Sequence, residues 1–231
     1  RSERFTLASG MKVALLPKKT RGSTVQLAIR IGYGDEKSRA GKSAVDELTS
    51  ALLMRGAQGA DRQQIRDRLD GLRASGGIGL GGGSFQTKKA YINDLIAFIT
   101  QIYRTATFPA DELELVRKES ITALEESAKD PESVAFTALE RHFSHYPRGD
   151  VRYVPTVAEH IAELKAVTRE QVLRYAAAMR GLSAAEIAVV GDFDAATVKA
   201  ALATAFGNSR LPAPFSRVNR EYRPVAATIG K

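Results

Sequence analysis

The order of apolar and polar positions gives this chain its plan. Thr24–Ile31, TVQLAIRI, puts Val25, Leu27, Ile29 and Ile31 on one face, the two-residue period of a half-buried strand. Ahead of it, Phe5–Leu16 turns at Ser9-Gly10 and alternates through Met11–Leu15, and Pro17 stops it. Over Gly41–Gly56 the period changes. Ala44, Val45, Leu48, Ala51 and Leu52 recur at helical spacing, Ser43 is placed to cap the start, and Gly56 closes the segment after Arg55. Asp61–Leu72 predicts a second helix, capped by Asp61 and burying Ile65, Leu69 and Leu72. Lys89–Thr105 predicts a third, with Ile92, Leu95, Ile96, Ile99, Ile102 and Tyr103 inward. Pro109 followed by Asp111 and Glu112 starts another, and Asp130-Pro131-Glu132 one more, running through Val134, Phe136, Leu139 and Phe143. Thr156–Glu159 and Thr168–Gln171 fit the reciprocal Ser/Thr-x-x-Glu/Gln cap and open helices to about Leu164 and Met179. Ala185–Val190 is a buried strand, and Asp194 caps a last helix that ends at Phe206-Gly207.

Between the second and third helices lies Ser75–Phe85, SGGIGLGGGSF. Glycine this dense could approach a phosphate, but no Gly-x-Gly-x-x-Gly opens a helix here with a ribose-binding acid beyond it. A β-hairpin is expected instead, with arms at Ile78–Leu80 and Ser84–Lys88 and either a tight loop or missing residues near 81–84. Lys42-Ser43 after Gly41 is not a phosphate-binding loop either, because Glu36 stands where that motif needs glycine. About five strands and seven or eight helices in mixed order place the chain in the α+β class.

Composition narrows the function. Of 231 residues, 44% are hydrophobic, enough for a sizeable core, and no apolar run approaches the length that crosses a bilayer. The absence of cysteine excludes disulfides and thiolate metal sites. Residue 1 is Arg and the last residues are Ile229-Gly230-Lys231, so the sequence reads as a domain cut from a longer polypeptide. Leu211–Lys231, with Pro212, Pro214 and Pro224, reads as a linker. The formal charge is +8 with a pI near 9.8, but Arg62, Arg66 and Arg73 interleave with Asp61, Asp67 and Asp70. That pattern is a solvated face rather than a nucleic-acid stripe. His142 and His145 lie three apart, and His160 stands further on, with no acidic ligand fixed beside them by spacing.

Gly41-Lys42-Ser43 at one end and Arg55-Gly56 at the other resemble the flanks of the zinc-binding helix in the M16 (insulinase/pitrilysin) metallopeptidases, inverted zincins built on His-x-x-Glu-His. Both flanks give one register, and in it the five motif positions are Glu47, Leu48, Thr49, Ser50 and Ala51. Two imidazoles at i and i+4 hold one zinc, while the glutamate between them activates water. Glu47 and Ala51 are not such a pair, and Ser50 is no general base. The resemblance continues in order: GMKVALLP, IGYGDE, the glycine-rich hairpin, FPADELELVRKESITALEE, YPRGDVRYVPT, and LKAVTREQV to GDFD. In the fourth of these the family carries its third, glutamate ligand. Glu119 and Glu126 reproduce its acidic spacing, whereas anchoring on Pro109 and Glu112 puts the ligand position near Thr122–Ala123. One carboxylate without two histidines is not a zinc site.

What the resemblance implies is a LuxS/MPP-like α+β sandwich, an antiparallel-rich mixed sheet packed against helices on one side, over residues 1–217, with 218–231 a linker to a following domain. It implies a catalytically silent domain, with no catalytic residue, no metal and no cofactor of its own. Its partner would be an active M16 domain, in the same polypeptide or another subunit, which holds the zinc and cuts an unfolded peptide enclosed between them. In catalytic relatives the edge strand of the hairpin pairs with substrate backbone. In non-catalytic ones an Arg/Tyr pair reaches the substrate; Arg152 and Tyr153 fit it, with Arg148 the alternative arginine. Arg offers a planar donor fork to carbonyl or carboxylate, and Tyr a hydroxyl on a packing ring. A rigid turn punctuated by Pro147, Gly149 and Pro155, with Asp150 pairing Arg152, explains the same residues. A purely structural subunit is the alternative function, and a homodimer is possible for the isolated chain. The resemblance favours a periplasmic or secreted location.

Overall fold

A computed structural model describes residues 2–207 and 215–221. The remainder of the expected linker, with all three of its prolines, lies outside the described residues. Of that linker, 215–221 is described: it has no regular structure and returns to the domain, where Asn219 N–H donates to Glu36.

Six strands form one mixed sheet in the order β1 (Glu3–Thr6), β2 (Lys12–Pro17), β8 (Ala185–Gly191), β3 (Thr24–Ile31), β7 (Gly82–Lys88) and β6 (Ser75–Gly79). Only β2 and β8 run parallel; the other neighbours are antiparallel. A separate two-stranded ribbon joins β4 (Gly56–Ala57) to β5 (Ala60–Asp61). The alternation in β3 is realised: Val25, Leu27, Ile29 and Ile31 are buried, while Gln26, Ala28 and Arg30 are exposed. The same alternation in β2, β7 and β8 leaves one sheet face to the core and the other open. A sheet with one solvated face is what an antiparallel-rich arrangement permits.

Helices cover the core face. They are α1 (Glu36–Arg39), α2 (Ser43–Leu52), α3 (Arg62–Gly71), α4 (Ile92–Thr105), α5 (Ala110–Ser127), α6 (Pro131–Phe143), α7 (Val157–Ala166), α8 (Arg169–Met179) and α9 (Ala195–Phe206). α2 packs against α5, α7 and α8, and α4 against α9. Asp61, Asp130, Thr156, Thr168 and Asp194 cap their helices through side-chain oxygens, as expected. Ser43 does not cap α2. Lys42 occupies the cap position without a side-chain bond, and Ser43 is the first helical residue, its hydroxyl near Glu163 at 3.3 Å.

Two other expectations change. The hairpin is continuous and tight, with Gly79 opposite Gly82 across Leu80-Gly81. Its arms are longer than the apolar pattern suggested because the glycines themselves pair. A Cβ on Gly83 would stand 1.9 Å from the Gly77 carbonyl oxygen, so the two backbones lie closer than side chains allow. In α6, Phe136, Leu139 and Phe143 face solvent, at 61%, 51% and 57% exposed, rather than the core.

Candidate functional site

α2 presents the five positions of the degenerate motif, and each has a distinct environment. Leu48 and Thr49 are fully buried, and the Thr49 hydroxyl donates back to the Val45 carbonyl at 2.6 Å. Ala51 is exposed. Ser50 Oγ accepts from the Leu80 N–H in the hairpin turn at 3.0 Å. Glu47 meets His160 of α7, with Oε2 2.7 Å from Nε2. The Ser120 side chain of α5 also helps to hold the Glu47 carboxyl down. On α5, then, Ser120 is the residue that reaches the motif.

The two glutamates with the family's acidic spacing are salt-bridged helix residues. Glu119 binds Arg55 at 2.7 Å, and Glu126 binds Lys129 at 2.8 Å. His142 packs on Phe143 and His145 on Tyr146. Among the described residues no three His, Asp or Glu side chains converge as metal ligands.

Glu47 and His160 tie α2 to α7 through a short hydrogen bond. Burial works to raise the Glu47 carboxyl, but the hydrogen bond and charge of His160, with Ser120, outweigh it and hold it below its ordinary value. The hydrogen bond to Glu47 raises His160, against burial and with help from Glu163. Close by, Asp46 accepts from the Tyr33 hydroxyl at 2.9 and 3.0 Å and faces Arg39 at 3.6 Å. Burial, then the Asp46 charge and hydrogen bond, push the Tyr33 hydroxyl well above the usual phenol range, and burial with the Asp46 charge does the same to Tyr175, whose buried hydroxyl has no hydrogen-bond partner among the described residues. Both stay protonated at any physiological pH.

Over the start of α2 lies the loop 146–156. Between them is a cleft of about 330 Å³, bordered by Lys42, Glu47, Arg148, Asp150, Tyr153 and Glu163 among others. Arg152 is 13% exposed and bound within the chain. Its guanidinium binds Asp150 at 2.8 and 2.9 Å, Glu36 at 3.0 and 3.2 Å, and the Asn219 carbonyl at 2.5 Å, and it stacks over Tyr146. The Arg152 side-chain and backbone hydrogen bonds lower the Asp150 carboxyl to about 2. Tyr153 donates to Glu159 at 3.0 and 3.1 Å, the same Glu159 that completes the α7 cap. Arg148 is the open cation of the loop, 62% exposed and only loosely paired with Glu159 and Glu163 at 3.9 and 3.6 Å.

His160 is the site residue that sequence spacing does not reveal. It lies 113 residues from Glu47, and the sole local signal was the cap at Thr156–Glu159, which fixes where α7 begins and hence which face His160 occupies.

No family model and no curated protein matches the sequence. Solved structures do. A peptidase M16 inactive domain from Pseudomonas fluorescens is similar with a TM-score of 0.76 at 19% identity, over 95% of this chain and 54% of that one. A protease from Helicobacter pylori is similar with a TM-score of 0.76 at 12% identity, over 96% and 53%. The periplasmic protease PqqL from Escherichia coli is similar with a TM-score of 0.70 at 16% identity, over 98% of this chain and 25% of that one. The chain thus spans about half the length of the first two and a quarter of the third. The α+β fold of this chain is that of the M16 peptidase domains.

Proposed function

We propose that the chain is a non-catalytic M16-type domain that pairs with an active M16 domain, closes a chamber over an unfolded peptide and contributes to its binding. One observation carries this: in the register that the sequence resemblance gives α2, Glu47 and Ala51 fall at the family's paired-imidazole positions, and Glu47 is bound to His160. A carboxylate and a methyl one helical turn apart hold no zinc. The zinc and the cutting then belong to the partner. Closure of the partner over the peptide excludes water and completes the contacts. The fold shared with a chain described as an inactive M16 domain, and with protease chains about twice as long or longer, supports the pairing. Likeness to a periplasmic protease supports an exported location.

Within this proposal the loop 146–156 is the peptide contact. Arg148 offers the most exposed guanidinium of the loop, only loosely paired with Glu159 and Glu163, while Arg152 and Tyr153 shape the loop and reach a peptide only by exchanging the partners they now hold. Their internal bonding favours a second reading, a structural subunit that handles no peptide.

Co-expression with an active M16 domain separates the two. The complex is expected to cut an unfolded peptide, and Arg148→Ala to raise KM several-fold with kcat little changed, the signature of lost uniform binding. An unchanged KM supports the structural subunit. The chain by itself is expected to take up no stoichiometric zinc and cut nothing; zinc at one per chain with proteolysis would overturn both readings.

A further inference from the structure

The β6 edge of the sheet is where another strand would add. In an antiparallel ladder, alternate residues turn their N–H toward the neighbour and away from it. Gly79 pairs with Gly82 across the two-residue turn, and Gly77 with Ser84, so Ile78 points its N–H outward. That N–H is occupied: it donates to Met54 Sδ at 3.2 Å. One step along, the Leu80 N–H donates to Ser50 Oγ at 3.0 Å. Both acceptors come from α2 and the turn that follows it.

The match is geometric. Ser50 lies in the last turn of α2 and Met54 just past its end at Leu52. The two acceptors meet N–H groups two residues apart, at Leu80 in the hairpin turn and at Ile78 on the β6 edge. Glycine makes the approach possible. A Cβ on Gly79 would stand 2.1 Å from Ser50 Oγ, whereas one on Gly77 would sit at ordinary contact distance from Met54 Sδ.

We infer that Ser50 and Met54 latch the turn end of the β6 edge, so that the Ile78 and Leu80 amides an extended peptide would need there are already taken by α2 and the turn that follows it. An exposed glycine-rich edge is otherwise an open template for pairing with another chain. Sealing it removes that liability and removes the edge as a peptide site. The latch rests on these contacts alone and stands whether or not an M16 partner exists. Combined with the proposed function, it directs peptide to the loop 146–156 instead.

Amide exchange and peptide titration, followed by NMR on the labelled 231-residue chain, test this. The probe is an unstructured ten-residue peptide of Val, Thr and Ser. The wild-type chain is expected to show no peptide-induced shift at Gly76–Leu80. Ser50→Ala is expected to speed exchange at Leu80 roughly tenfold, and Met54→Leu at Ile78, by loss of one hydrogen bond each. The double variant is expected to bind the peptide through the β6 amides. Should that variant fail to fold, Gly79→Ala, whose methyl displaces Ser50, opens the same edge and is expected to bind likewise. Peptide bound at β6 by the wild-type chain would overturn the latch. So would unchanged exchange in the single variants, or an opened, folded variant that binds nothing.

Discussion

At the scale of single residues, Glu47 shows how a carboxylate on a packed helix is stabilised by its neighbours. A carboxylate on a partly buried helix face needs a counter-charge or a donor. His160 and Ser120 provide both, from two other helices. The pair has a pH window. His160 is raised above its ordinary 6.5 in the fold, so its contribution is complete below 6.5 and is lost as pH rises through the higher folded value. Glu47 is lowered below its ordinary 4.5, so its contribution is complete above 4.5 and is lost as pH falls through the lower folded value. The tie between α2 and α7 is therefore complete between those two ordinary values. His160→Gln is expected to lower the melting temperature at pH 5.5 by about 1–3 °C and to change it little at pH 9. Calorimetry at the two pH values checks this; an equal loss at both would mean that shape, not charge, holds the helices. The resemblance of the flanks assigns Glu47 a place in the motif, because spacing along one helix is local information. It does not show His160 as the partner, because only the packing of α7 on α2 brings the two together.

At the scale of elements, the apolar pattern places helices well and says less about what covers them. α6 is found where its Asp-Pro-Glu start predicts, yet its aromatic face meets water. Phe136, Leu139 and Phe143 fall at i, i+3 and i+7, a coherent stripe, while Val134 lies on the opposite side and is also 50% exposed. Periodicity reports that a stripe exists; it carries no information on whether the covering surface belongs to the same chain. The contrast with Phe108, 1% exposed where the chain turns into α5, gives a measurable difference. Phe136→Ser is expected to change stability by less than about 0.5 kcal/mol, as exposed positions do. Phe108→Ala is expected to cost about 3–5 kcal/mol through the cavity it leaves. Urea unfolding of both variants checks the pair. A large loss at Phe136 would mean that the face is covered in solution. The hairpin teaches the converse lesson: its strands extend through glycines that a propensity argument would discard, because close backbone approach replaces side-chain packing there.

At the scale of the whole molecule, the fold was legible because ordered landmarks span most of the chain: the β3 alternation, the caps at Asp61, Thr156 and Thr168, and the β8 segment ending in GDFD. The sheet order was not, since the parallel β2–β8 pairing joins segments some 170 residues apart and no local pattern encodes it. Charge is the whole-molecule property that bears on function. A formal +8 gives the surface a positive field that reaches beyond any one residue. A field of that kind acts on the rate of encounter and is screened over about 10 Å at 0.1 M salt. In the paired complex, an acidic unfolded peptide is therefore expected to be captured faster than a basic one of equal length, by about tenfold at 20 mM salt. The difference should shrink to about twofold or less at 300 mM, because exposed charges carry it. Stopped-flow association rates across that salt range decide the matter. Equal rates at low salt would mean that the positive charge is spread as solvated ion pairs, in the way Arg62 and Glu112 are paired at 3.1 Å, and selects no peptide.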